Sequence, residues 1–414
     1  MAERPLAFVV QRYGPEIVGG SEALCRAVAE MIAPRHPVEV LTTCARDYRT
    51  WRNELPAGTS ELNGVRVRRF AVDFERDARF HELLDTILGH VPLSAYPRHR
   101  ARVRAHIARS TAQQQQDCLK LQGPYSTPLL DFLASRHQDY GLVVFFTYLY
   151  PTTFFGCQQV PAAKTVLVPT AHDEAPIHLP IFRSMFARFP AHIFLTPEER
   201  LFVQRTFDLE DALQATIGMP VELSGLPDPE RFRQKYGIPA PFLLYAGRID
   251  SSKGCEELIR FFGAAQHHLP PEVELVLCGQ LAMELPVNCR IRYLGLLSEQ
   301  DKIDAMAAAT LLVNPSPFES FSIVVLEAML CGTPVLVNGH CEVLKGHVRR
   351  SRGGLYYDTG YEFVEALRLL LGDESLRAGM GANGMAYVVQ NYHHSVVEER
   401  YWAALSRAER KEQG

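Results

Sequence analysis

Glu319 and Glu327 stand eight residues apart in "PSPFESFSIVVLEAMLCGTPVL", residues 315–336, with an almost unbroken apolar run between them. That run predicts a buried helix from Phe321 to Leu330. A helix opening favours carboxylates through its dipole, so capping would account for Glu319. Glu327 lies inside "IVVLEAML", where an unpaired carboxylate is costly to bury. Carboxylates accept hydrogen bonds, often in pairs, and the vicinal hydroxyls of a sugar supply such donors. Upstream, "FLLYAGRIDSSKG" (242–254) ends an apolar run at Gly247 and places Arg248 and Lys253 around a polar loop. A guanidinium forks onto phosphate oxygens and an ammonium acts as a point charge, so the two suit a pyrophosphate. In "YGPEIVGGSEAL" (13–24), Gly19 and Gly20 precede a helix and let backbone approach an anion, although a tight turn explains them equally. Two sugars joined by a pyrophosphate would use all of these parts: a nucleotide-sugar.

Such loops need strands that end together. Short apolar runs recur along the chain: 6–13, 37–43, 65–70, 141–150, 164–170 and 192–196, then 242–248, 273–279, 291–295, 311–316 and 334–338. Runs of this length with little alternation suit strands buried on both faces of a parallel sheet. Helical patterns lie between them. In 21–32, Leu24, Ala27, Val28, Met31 and Ile32 form one apolar face, with Ser21 as N-cap and Glu22 in the first turn. The alternation occurs twice, which predicts two doubly wound α/β domains. The Gly- and Pro-rich stretch 218–240 separates them. The expected domains are 1–222, with a helical insertion near 75–137; 223–390; and a closing helix in 391–414 that packs back toward the first domain. Val396, Val397, Tyr401, Ala404 and Leu405 supply that helix's apolar face.

The totals exclude other classes. The chain has 414 residues, 47% apolar and 22% charged, with a net charge of −4. No general attraction to nucleic acid or anionic lipid follows. No apolar run approaches the ~20 residues of a membrane span. The opening "MAERPLAFVVQRYG" reads as a first strand rather than a secretory leader, and nine scattered cysteines without a CxxC pair read as reduced, mostly buried thiols. A cytoplasmic protein is the expectation. No GxGxxG follows a strand and no GxxxxGK[ST] occurs, against a dinucleotide dehydrogenase or a P-loop NTPase. No Asp-x-Asp occurs either, so no metal or cofactor is expected. The basic cluster "YPRHRARVRAHIARS" (96–110) reads as a solvated helix face. Its alternating Arg98, Arg100, Arg102 and Arg104 are the one feature suited to peripheral membrane contact.

In this combination the sequence resembles the retaining glycosyltransferases of the group 1 (family four) type, which have the GT-B fold of two Rossmann-like domains facing across a cleft. "ESFSIVVLE" followed by "AMLCGTPVL" looks like their Glu-x7-Glu segment. "YAGRIDSSKG" is similar to their donor loop, "VGGSE" to their Gly-Gly loop, and "LPDPERFRQKYGI" to their interdomain link. The resemblance implies that Arg248 and Lys253 hold the donor diphosphate beside Gly247. It implies that Glu327 binds ribose and that Glu319 approaches the donor sugar, with Ser320, Phe321 and Ser322 close by. Gly19 and Gly20 would approach the phosphates from the first domain. His172, in "VLVPTAHDEAP", matches the family's histidine near the anomeric carbon, and Asp173 and Glu174 could meet acceptor. Ser320 and Ser322 replace the family's usual glycines, which leaves donor choice open. The implied activity is metal-independent transfer, with retention, from a UDP- or GDP-sugar to a glycan, lipid or small molecule. A non-catalytic nucleotide-sugar binder would also keep Arg248, Lys253 and Glu327, but intact Glu319 and His172 weigh against it. A GT-B epimerase would lack the Glu-x7-Glu pattern.

Overall fold

A computed structural model describes residues 4–413 except Val18, Glu210 and Ala240. Val18 of the Gly-Gly motif and the extreme ends of the expected domains therefore lie outside the described residues. The chain divides into two compact units, one reaching Pro220 and resuming at Val397, the other Val221–Val396.

The first unit is built on strands β1 (Leu6–Val9), β2 (Val38–Thr43), β3 (Gly58–Leu62), β4 (Val65–Phe70), β5 (Val143–Phe146), β6 (Thr165–Val168), β7 (Ala191–Phe194) and β8 (Leu213–Thr216). Their order in the sheet is β3-β4-β2-β1-β5-β6-β7-β8, and every pair is parallel except β3 with β4. The apolar runs become the central strands: every residue of β1, β5 and β6 is buried. Two strands were not expected. β3 is an exposed edge strand with almost no apolar residue, and β8 is only half-buried. Antiparallel pairing of β3 comes from the Asn63-Gly64 turn, where both residues have positive φ (49° and 77°), as a type I′ hairpin requires. Helices α1 (Gly20–Ile32), α2 (Arg79–Ile87), α3 (Tyr96–Ile107), α4 (Ala112–Gln122), α5 (Thr127–Arg136), α6 (Pro151–Phe154), α7 (Ile181–Arg188) and α8 (Pro197–Thr206) connect the strands. The segment 75–137 is thus the crossover from β4 to β5, carried on α2 to α5.

The second unit contains α9 (Pro229–Tyr236), β9 (Phe242–Ala246), α10 (Cys255–Ala265), β10 (Glu274–Cys278), β11 (Ile291–Tyr293), α11 (Glu299–Ala308), β12 (Leu311–Asn314), α12 (Ile323–Leu330), β13 (Val335–Asn338), α13 (Glu342–Ser351), β14 (Gly354–Tyr357), α14 (Gly360–Gly372) and α15 (Glu374–Tyr392). Its all-parallel sheet runs β11-β10-β9-β12-β13-β14. This is the doubly wound order, whose topological switch point lies between β9 and β12. Leu243, Leu258, Phe262, Leu275, Leu277, Val313, Leu336, Phe363 and Leu367 fill one side of the sheet. α9 forms inside the stretch expected as a link, because Asp228 accepts from the Arg231 amide and left-handed Gly237 closes the far end.

The last helix, α16 (His394–Gln413), returns to the first unit from Val397 onward. Val397, Tyr401, Ala404 and Leu405 are buried, and the Tyr401 hydroxyl donates to the Gly218 carbonyl at 3.3 Å.

Candidate functional site

In the second unit the candidate residues gather where β9 and β12 end, at the switch point. After Gly247, Asp250 caps the next turn: its carboxylate accepts from the Lys253 amide at 2.9 Å and from the Ser252 hydroxyl at 2.7 Å. The Arg248 guanidinium bonds the same carboxylate and reaches the Ser252 hydroxyl at 3.1 Å. These donors hold the Asp250 carboxyl below its usual range although burial works against them. Gly254 has φ 77°, and a Cβ there would stand 2.4 Å from the Pro315 carbonyl oxygen. Only glycine lets the β9 loop lie this close to the β12 loop. The approach brings the Lys253 ammonium to Glu319 at 2.8 Å. Burial opposes the lysine's charge, but Glu319 raises its pKa. Arg248 and Lys253 still leave 37% and 34% of their side chains exposed, enough to receive a ligand.

The β12 loop is braced along its length. Asn314 accepts from the Ser316 amide and donates to the Ser322 hydroxyl at 3.0 Å. Asn338 donates to the Pro315 carbonyl at 2.9 Å, and the Ser316 hydroxyl to that of Phe318. Ser322 sits in the left-handed region at φ 64°. This corrects the expected helix: it begins at Ile323, not Phe321, because the chain cannot continue a right-handed turn through Ser322. Glu319 is therefore a loop residue with a cation partner and caps nothing. Ser320, Phe321 and Ser322 share that loop.

Glu327 does lie within α12, but it is not unpaired. The Lys302 ammonium, from α11, bonds it at 3.0 Å and also holds Glu299 at 2.9 Å. Each carboxylate of the opening motif thus has its own lysine. Lys302 has no signal in the sequence, because 25 residues and a strand separate it from Glu327.

In the first unit, Gly19 occupies the N-cap of α1 and Gly20 its first turn. Ser21 is not the N-cap: it lies inside the helix, accepting from Gln11 at 2.9 Å and donating to Glu22 at 2.8 Å. Glu22 is buried against Arg12 at 2.5 Å, so its role is an ion pair rather than a dipole contact alone. A Cβ on Gly19 would fall 2.3 Å from the Glu22 carboxylate, whereas one on Gly20 would meet nothing within 4 Å.

His172 follows β6 on a constrained segment. Thr170 and Thr147, at the ends of neighbouring strands, both have positive φ (51° and 67°). Their hydroxyls bond at 3.1 Å. β-Branched residues rarely adopt this conformation, so the surrounding structure must hold the backbone there. Glu199, buried at the start of α8, accepts from the Ala171 and Leu195 amides at 2.6 Å each. Burial pushes its carboxyl up to about 8. His172 faces Glu174 at 3.4 Å, and the Tyr148 hydroxyl donates to Glu174 at 2.7 Å. Asp173 is surrounded by His178 at 2.8 Å, Arg104 at 3.1 Å, Arg100 at 3.5 Å and the Tyr96 hydroxyl at 3.0 Å. Against the effect of burial, these donors hold it at about 2. The basic cluster is a helix, α3, as expected, but two of its arginines, Arg100 and Arg104, are spent on the His172 loop.

All nine cysteines are free. Among the described residues no three His, Cys, Asp or Glu side chains group as a metal site, and no helix is long and apolar enough to cross a membrane.

The same architecture recurs in solved structures. The Anabaena protein HepE superposes with a TM-score of 0.70 at 19% identity, covering 98% of this chain and 100% of that one. The chain has the GT-B fold. Residues 228–386 match the family model for glycosyl transferases group 1. D-inositol 3-phosphate glycosyltransferase of Corynebacterium jeikeium is 30% identical over 171 residues, 37% of this chain and 41% of that protein. The match thus spans about two fifths of that relative's length. An uncharacterized glycosyltransferase of Methanocaldococcus jannaschii is 25% identical over 425 residues, 97% of this chain and 96% of that protein.

Proposed function

We propose that the protein transfers a sugar, with retention of anomeric configuration and without a metal, from a nucleotide-diphosphate donor to an acceptor hydroxyl. The observation that carries this reading is the pairing at the switch point: Arg248 and Lys253 half-exposed on one loop, Glu319 bonded to Lys253 on the next. The two cations take the diphosphate. Glu319, freed as Lys253 turns to phosphate, and Glu327 accept hydrogen bonds from hydroxyls of the donor sugar and the ribose. As the anomeric C–O bond breaks, charge gathers on the leaving diphosphate oxygen, where Arg248 and Lys253 stabilise it. The acceptor oxygen bonds the same carbon from the face the diphosphate leaves. Its proton passes to the departing phosphate, so no protein nucleophile is needed. Structures of HepE with UDP-glucose and with UDP support a uridine donor. His172 acts in transfer rather than in donor binding, so His172→Ala keeps donor affinity and loses turnover.

Calorimetric titration with UDP-, GDP-, ADP- and dTDP-sugars tests the reading. One donor class binds the wild type, and Arg248→Ala and Glu327→Ala each weaken it at least tenfold. Binding that survives both substitutions would place the ligand elsewhere and overturn the assignment.

A further inference from the structure

The donor loop is held from behind by a histidine that no sequence motif marks. His347, on α13, is fully buried and bonds the Phe321 carbonyl through Nε2 at 2.9 Å. Its Nδ1 lies 3.1 Å from the Tyr387 hydroxyl. That hydroxyl also takes the Arg350 guanidinium at 3.2 Å and meets the Tyr392 hydroxyl at 3.1 Å. The rings of Phe321, Tyr387 and Tyr392 stand edge-on around the imidazole. The carbonyl can only accept, so Nε2 must carry the proton and Nδ1 must accept from Tyr387. Burial keeps the ring neutral, with its pKa lowered to about 3, so a single tautomer persists at neutral pH. The bonded carbonyl belongs to the residue before Ser322, whose left-handed backbone needs external support.

We propose that His347 is a positioning residue for donor binding: its Nε2–H, held in that tautomer by the Tyr387 hydroxyl, fixes the Phe321 carbonyl and so sets the backbone of Ser320–Ser322. The proposal rests on reading this loop as the donor-diphosphate site. It makes an otherwise structural aromatic cluster part of the binding machinery, reached through a hydroxyl that touches no ligand.

Tyr387→Phe is the informative variant. It keeps the ring and removes the hydroxyl, leaving Nδ1 without its donor and the tautomer unfixed. His347→Phe, which fills the space without bonding the carbonyl, is the second. Two measurements are made on the full chain: amide hydrogen exchange of the peptide spanning 315–322, and the affinity for UDP-glucose. The expected result is exchange about tenfold faster in that peptide, with β9 and β12 unchanged, and affinity about tenfold weaker, as the loss of one buried hydrogen bond implies. Lys253→Ala serves as the control for the site itself. Unchanged exchange at 315–322 in both variants overturns the positioning role. So does faster exchange with wild-type affinity, since the loop would then be loosened without consequence. If wild type binds no nucleotide-sugar, or Lys253→Ala binds as well as wild type, the donor-site reading fails and the proposal falls with it. That outcome is told apart from the first by the control alone.

Discussion

The two lysine–glutamate pairs answer why an apolar helix and its approach carry carboxylates. Each acid is neutralised locally in the absence of ligand, and each pair can be tested alone. Glu327 and Lys302 expose 15% and 24% of their side chains, so removing one partner leaves a mostly buried charge. Lys302→Met should cost roughly 1–3 kcal/mol in urea unfolding, below the range for a fully buried pair. The double change Lys302→Met with Glu327→Gln should recover most of that loss while donor binding stays impaired. A double variant no more stable than the single one would show that the lysine does something other than neutralise Glu327. The Gly-Gly pair offers a sharper contrast. Gly19→Ala must push the Glu22 carboxylate away from Arg12, because its Cβ would sit 2.3 Å from that carboxylate; a loss of about 1–3 kcal/mol follows. Gly20→Ala meets open space at a helix start, where alanine is favoured, and should be neutral or slightly stabilising. Equal losses at both positions would refute this account of Gly19.

At the scale of elements, Ser322 is the informative junction. Its φ of 64° ends the β12 loop and starts α12, and its hydroxyl accepts from Asn314. Ser322→Gly should relieve the left-handed backbone but lose that bond, two effects of about 1 kcal/mol that nearly cancel. Ser322→Ala loses the bond and keeps the strain, so it should be the less stable by about 1 kcal/mol; thermal unfolding in the reverse order would discount the strain. This junction also shows why the sequence was legible only in part. Strands buried on both faces announced themselves as apolar runs, and β1, β5, β6, β9 and β12 stand where those runs fall. β3 ("GTSEL") and β8 ("LQAT") escaped because exposed or half-buried strands have no such run; for β3, the Asn63-Gly64 dipeptide was the available signal. β14 ("GLYY") is short and opens on glycine. Periodicity extended α12 back to Phe321 because apolar character does not report φ. The candidate residues could be picked out by type and position, but their partners Lys302, Glu199 and His347 come from distant elements. Nothing in local spacing joins His347 to Phe321, 26 residues away.

On the scale of the whole molecule, buried titratable groups predict opposite pH behaviour in the two units. In the second, burial lowers His347 to about 3. The unfolded chain takes up its proton near 6.5 while the folded one does not, so stability falls with decreasing pH below 6.5, by about 1.4 kcal/mol per unit and roughly 2 kcal/mol by pH 5. The first unit has two opposing groups. His192, packed among Phe186, Phe189 and Phe194, is lowered by burial to about 4 and acts like His347. Glu199 is raised by burial to about 8. Its folded form keeps a proton that the unfolded chain releases near 4.5, so it contributes stability that is lost as pH rises toward 8. Between 4.5 and 6.5 the two nearly cancel. From 6.5 to 8 Glu199 acts alone, and the first unit should lose roughly 2 kcal/mol. The tryptophans separate the units, since Trp51 and Trp402 both belong to the first. In urea titrations, the fluorescence midpoint should fall from pH 6.5 to 8 and change little from 6.5 to 5. A transition seen only by circular dichroism should fall from pH 6.5 to 5. Glu199→Gln should flatten the alkaline loss in fluorescence and leave the acid loss in circular dichroism untouched. Midpoints that coincide by both probes at every pH would show the units unfolding as one and remove the basis for opposite trends.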